Sequence, residues 1–180
     1  MNLPNKLTIA RICMIPLFVF FLLTDLVPYS NYVSVAIFIV ACLTDALDGH
    51  IARKYNLISN FGKFMDPLAD KLLVCSALVC FVQMHLVPAW IIIVIISREF
   101  IISGFRLIAS DNGLVLAASW WGKFKTASQM IMSILLIVNF DGDFFNTLEQ
   151  VFIYLALALT VISLIDYLIK NKNVLKEGSK

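Results

Sequence analysis

The sequence predicts an all-α integral membrane protein of six transmembrane helices, and three observations carry that prediction. Hydrophobic residues make up 61% of its 180 positions and charged ones only 14%, with a mean hydropathy of +0.90, so the chain suits lipid better than water as solvent. Six apolar stretches reach the roughly 20 residues that a helix needs to cross a bilayer. The fourteen lysines and arginines all avoid the connectors between helices 1–2, 3–4 and 5–6. That asymmetry puts the cations on one face of the membrane, which the positive-inside bias makes cytoplasmic, with both termini on that side.

Helix 1, about 7–26, follows a basic start. Arg11 interrupts its apolar run and no small-x-small cleavage site follows, so it reads as a retained helix and not a signal peptide. The turn "LVPYSN" leads into helix 2, about 31–53. A short connection at 54–60 gives helix 3, about 60–86, and makes helices 2 and 3 antiparallel neighbours. "QMHLVP" introduces helix 4, about 88–109, and helix 5, about 118–140, opens on Trp120 and Trp121 beside Lys123, an interfacial anchor. "FDGDFFN" turns the chain into helix 6, about 146–169, and the basic end "KNKNVLKEGSK" reads as a cytoplasmic tail. Residues 1–180 form a single membrane domain on this reading. Cys13, Cys42, Cys75 and Cys80 are scattered without Cys-x-x-Cys spacing and read as packing residues.

The segment "TDALDGHIARKYNLISNFGKFMDPLADK" gathers Asp45, Asp48, Asp66 and Asp70 within twenty-six residues of this apolar chain. Counted from the outer end of helix 2, Asp45 and Asp48 lie about 20–24 Å along a hydrocarbon core of roughly 30 Å, close to the cytoplasmic headgroups. Asp45 and Asp48 are i, i+3, and Asp66 and Asp70 are i, i+4, so each pair shares a helix face. Pro67 either sits inside a helix begun near Asn60 or occupies the first turn of a helix capped by Asp66. Both arrangements let two carboxylate pairs face a cleft between helices 2 and 3 at the cytoplasmic end.

Four carboxylates so close repel one another, and Arg53 and Lys71 are too few to neutralise them. Two divalent cations supply the missing charge, and an all-oxygen ligand set selects Mg²⁺, Mn²⁺ or Ca²⁺ over Zn²⁺. His50, beside the cluster, reads as a surface group. Paired metals at a membrane surface suit phosphoryl chemistry, because they grip a pyrophosphate and stabilise both attacking and leaving oxygens. Gly49 and Gly62 leave room for a ligand to approach the backbone.

The pattern D-x₂-D-G-x₂-A-R-x₈-G-x₃-D-x₃-D is complete here as Asp45, Asp48, Gly49, Ala52, Arg53, Gly62, Asp66 and Asp70. With these residues and the six-helix plan, the chain resembles the CDP-alcohol phosphotransferase family. The resemblance implies a multi-pass enzyme of the bacterial cytoplasmic membrane, a homodimer, using two divalent cations (Mg²⁺ or Mn²⁺). It implies that Asp45, Asp48, Asp66 and Asp70 bind the metals and that Asp70 is also the general base. By the same carry-over, Asp48, Gly49, Ala52, Arg53, Ser59 and Gly62 line the CDP site.

The segments "PNKLTIAR", "SREFIISGFRLIA" and "GKFKTASQ" resemble the branch whose donor is CDP-diacylglycerol and whose acceptor is sn-glycerol 3-phosphate. An anionic acceptor agrees with Arg106, Lys123 and Lys125 near the cytoplasmic ends of helices 4 and 5, where they can converge on a phosphate. Arg98 lies deeper and either joins them or forms an ion pair with Glu99 or a neighbouring helix. The alternative for Lys123 and Lys125 is headgroup snorkelling. Thr8 and Arg11 begin helix 1 at the same depth, where Thr8 either reaches the CDP moiety or caps the helix and Arg11 reaches a phosphate. Rival readings are a sister enzyme making phosphatidylserine, phosphatidylinositol phosphate or cardiolipin, and a cation-binding transporter. Transporter sites lie at mid-bilayer between inverted repeats, and no repeat is visible here. No feature points to nucleic acid.

Overall fold

The computed structural model describes residues 2–24, 27–54, 60–111 and 119–171, without the side chains of 46, 48–50, 52–54, 60, 61, 63, 64, 110 and 111. Among the described residues all regular structure is helical: α1 (Leu3–Leu23), α2 (Ser30–Lys54), α3 (Asn60–Gln83), α4 (Ala89–Asp111), α5 (Trp120–Val138) and α6 (Asp143–Lys170). The shortest, α5, has 19 residues and so is about 28 Å long, close to the thickness of a hydrocarbon core. Among the described residues, α1 and α6 each contain a stretch long and apolar enough to cross a membrane, and α2 carries a shorter apolar stretch over Ser30–Asp45.

The helix ends differ from expectation by a few residues, for local reasons. α1 begins at Leu3 because Pro4 occupies its first turn, where a missing N–H is no loss. α3 starts at Asn60 and runs through Pro67, which settles the choice left open above: Asp66 lies inside the helix and does not cap it. Pro67 contributes no N–H to the helix ladder, and the Lys71 ammonium bonds to its carbonyl at 3.4 Å. α3 stops at Gln83, three residues early, because His85 takes the left-handed region (φ 59°). His85 N–H then bonds to Val82 O at 3.1 Å and Leu86 N–H to Phe81 O at 2.9 Å, the paired bonds of a Schellman cap.

The chain forms two units, Met1–Leu86 with Ile137–Asn139, and Val87–Leu136 with Phe140–Lys180. In the first, α1 packs along both α2 and α3, while α2 and α3 meet over a much shorter stretch among the described residues. The reason is visible in α1, whose buried Pro4, Asn5, Thr8, Arg11, Ile15, Phe18 and Leu22 recur at steps of three and four along one face. Phe18 meets Phe38 of α2 with ring centroids 5.7 Å apart, and Ala41, Ala69 and Ala77 are fully buried. Between helices in lipid, close packing of this kind replaces water release as the source of cohesion, and small side chains permit it.

In the second unit α4 packs on α6. The buried face of α6 runs Glu149, Ile153, Ala156, Thr160, Ser163 and Tyr167, again at helical spacing. Tyr167 meets Phe105 of α4 edge-on at 6.4 Å. Ser119 caps α5, its hydroxyl accepting the Gly122 N–H at 3.1 Å.

Candidate active site

Two polar centres stand out, one in each unit. The first is built on α1, α2 and α3. Asp45 lies on α2 with Asp48 one turn on, and Asp66 and Asp70 lie one turn apart on α3. Asp45 and Asp66 are half-buried and Asp70 is exposed. The contacts to the first two come from α1. Arg11 Nη1 donates to Asp45 Oδ1 at 2.6 Å, and the Thr8 hydroxyl donates to Asp66 Oδ1, also at 2.6 Å. Thr8 and Arg11 are both fully buried, and a buried guanidinium is tolerable only with such a partner. Gly62 is buried in the first turn of α3.

Sequence reasoning set Thr8 at the nucleotide and Arg11 at the acceptor phosphate; the structure gives both of them carboxylate partners. The side chains of Asp48, Ala52 and Arg53, residue Gly49 beyond its helical backbone, and Ser59 altogether lie outside the described residues. Among the described residues no three His, Cys, Asp or Glu side chains are drawn together as a metal cage. The donor chemistry fits a hard divalent cation nonetheless. Asp45, Asp66 and Asp70 offer only oxygen, the Asp45 side chain is 41% exposed, and Asp45 already holds a cation in the form of Arg11.

The second centre is basic and is organised by an acid. Glu99 of α4 accepts from Arg98 Nη1 at 3.0 Å and from the Lys125 ammonium of α5 through the same oxygen, Oε1. Arg98 Nε also donates to Ser163 Oγ of α6 at 3.2 Å, and that hydroxyl donates onward to Thr160 O at 3.0 Å. Arg98 and Lys125 are buried, so Lys125 does not snorkel. A Cβ placed on Gly122 stands 3.5 Å from Arg98 Nη2, which sets the start of α5 directly beside the guanidinium. Arg106 and Lys123 are exposed, and the Lys123 ammonium lies 4.5 Å above the Trp120 ring. Of the five expected acceptor-binding cations, Arg98 and Lys125 are thus tied together through Glu99. Glu99 is the organising residue that sequence reasoning gave only a supporting part. The signal for it was an acid inside the apolar run of α4, which had to find partners.

Comparison with known proteins bears on both centres. Residues 1–162 match the CDP-alcohol phosphatidyltransferase family. The chain is 44% identical to a CDP-diacylglycerol–glycerol-3-phosphate 3-phosphatidyltransferase of Bacillus subtilis, with 99% of each chain covered. It is 40% identical to the enzyme of that name from Haemophilus influenzae over 93% of this chain and 91% of the relative. The Rickettsia bellii enzyme of the same name is 34% identical over 92% and 93%. With the aspartate pattern whole and the likeness running almost end to end, this chain belongs to the CDP-alcohol phosphatidyltransferase family.

Proposed function

We propose that this protein transfers the phosphatidyl group of CDP-diacylglycerol to sn-glycerol 3-phosphate, giving phosphatidylglycerophosphate and CMP. One observation carries the reading: the full-length likeness to relatives named for that reaction, 44% identical across 99% of each chain in the Bacillus subtilis case. The spacing of Asp45, Asp48, Asp66 and Asp70 supports it, as does the gathering of Arg98 and Lys125 around Glu99.

In this reading the six helices cross the cytoplasmic membrane with both termini inside, and the distribution of lysine and arginine supports that orientation. The active site then opens to the cytoplasm, and the enzyme works as a homodimer. Asp45, Asp48, Asp66 and Asp70 would hold two Mg²⁺ or Mn²⁺ ions. When bound, those ions neutralise the pyrophosphate and stabilise the departing phosphate oxygen. Asp48, Gly49, Ala52, Arg53, Ser59 and Gly62 bind and orient the CDP moiety. Arg106 and Lys123 draw the acceptor's phosphate in from the cytoplasm, and Lys125 and Arg98 hold it. Asp70, which is exposed, takes the proton from the acceptor's primary hydroxyl. The freed oxygen bonds to the phosphorus that carries diacylglycerol, the bridging P–O bond breaks, and its electron pair leaves with CMP.

An acceptor panel tests the reading. Purified protein receives CDP-diacylglycerol with glycerol 3-phosphate, serine, inositol phosphate or phosphatidylglycerol, and CMP and lipid product are measured. Product with glycerol 3-phosphate is expected. Turnover with serine and none with glycerol 3-phosphate overturns the assignment.

A further inference from the structure

The contacts of α1 with the aspartates do more than bury polar groups. Thr8 and Arg11 are i, i+3 on one helix face, and their two partners come from different helices, Asp66 from α3 and Asp45 from α2. Among the described residues α2 and α3 meet each other only over a short stretch, whereas α1 packs along both and so helps to set the relative placement of their carboxylates. The Thr8 oxygen also stands 3.1 Å from Pro4 O, but a hydroxyl has one hydrogen and the shorter, charge-assisted bond to the carboxylate takes it. Each bond is made to Oδ1, which leaves Oδ2 of each carboxylate to another ligand.

We propose that Thr8 and Arg11 are positioning residues that hold Asp66 and Asp45, from behind, in the orientation that binds divalent cations. α1 thereby acts as a splint across the two helices that supply the carboxylates. The inference rests on the divalent-cation reading of the four aspartates. It gives Thr8 and Arg11 a task distinct from contact with nucleotide or acceptor: each fixes the rotamer of one carboxylate. Hydrogen bonds to metal-binding groups commonly change cation affinity by 10–100-fold.

Arg11 makes the proposal easy to separate from a plain ion pair, because the two predict opposite signs. If Arg11 were only a counter-charge, removing its positive charge would strengthen cation binding, since it repels the incoming ion. If it positions Asp45, its removal weakens binding.

The test is Mn²⁺ binding to the purified full-length protein in detergent micelles, without nucleotide or lipid, read from the spin resonance of the free ion. Thr8→Val is expected to weaken Mn²⁺ binding roughly tenfold or more, and Thr8→Ser, which keeps the hydroxyl, to stay within about twofold of wild type. Arg11→Gln is expected to weaken binding as well. Wild-type affinity in Thr8→Val overturns the role of Thr8, and equal or tighter binding in Arg11→Gln overturns that of Arg11. Should Thr8→Val not fold, Arg11→Gln decides the matter by its sign. A wild-type protein that binds no Mn²⁺ overturns the cation reading itself, a result distinct from either variant's failure.

Discussion

The Lys125 ammonium of α5 is hydrogen-bonded to the Glu99 carboxylate of α4, and the carboxylate oxygen they share also receives Arg98. Two buried cations therefore share one half-buried acid. Glu99→Ala leaves both without it and is expected to destabilise the protein by about 3–5 kcal/mol. Lys125→Ala leaves Glu99 still paired with Arg98 and is expected to cost less, about 1–3 kcal/mol. Thermal unfolding in detergent measures the order, and a smaller loss for Glu99→Ala than for Lys125→Ala contradicts it.

Asp70 is exposed one turn beyond Asp66 and is the proposed base. Asp70→Asn keeps the shape and removes the basicity, so CMP release is expected to fall by at least about 100-fold. Near-normal release from the variant removes Asp70 from the proton transfer.

Arg106 and Lys123 are exposed, so replacing either with Ala is expected to shift unfolding by less than about 0.5 kcal/mol. If they gather the acceptor's phosphate, the KM for glycerol 3-phosphate rises severalfold while kcat stays close to wild type. Titrating the acceptor against each variant reads the split, and an unchanged KM assigns both residues to the membrane surface instead.

Chelation tests the cation requirement directly. EDTA is expected to abolish CMP release and added Mg²⁺ or Mn²⁺ to restore it. Activity that persists in chelator rules out the paired-cation mechanism.

The helices were legible in the sequence because each is a long apolar run closed by a turn signal. The residual errors trace to Pro4, tolerated in a first turn, and to His85, a non-glycine residue in the left-handed region. The four aspartates and their helix-face pairing were legible too, since i, i+3 and i, i+4 spacing fixes a face in any helix. What periodicity does not reveal is which helix a face meets. The short 54–60 connection pointed to α2 against α3, which do meet, but it gave no sign that α1 packs along both. For the same reason the bonds of Arg11 to Asp45 and of Thr8 to Asp66, thirty-four and fifty-eight residues away in sequence, were not legible. Glu99 could be recognised as an acid in need of partners, but Lys125, twenty-six residues on, could be identified only in three dimensions.

The position of α1 also sets an order of assembly. α1 is synthesised first, and its Thr8 and Arg11 enter the chain 58 and 34 residues before their carboxylate partners. A guanidinium buried among apolar helices is costly without a carboxylate beside it. The arrival of α2 gives Arg11 its carboxylate, and α3 follows with a partner for Thr8. The first helix to be made thus depends on two later helices for the partners of Thr8 and Arg11, and its final seating waits on the helices that complete the site.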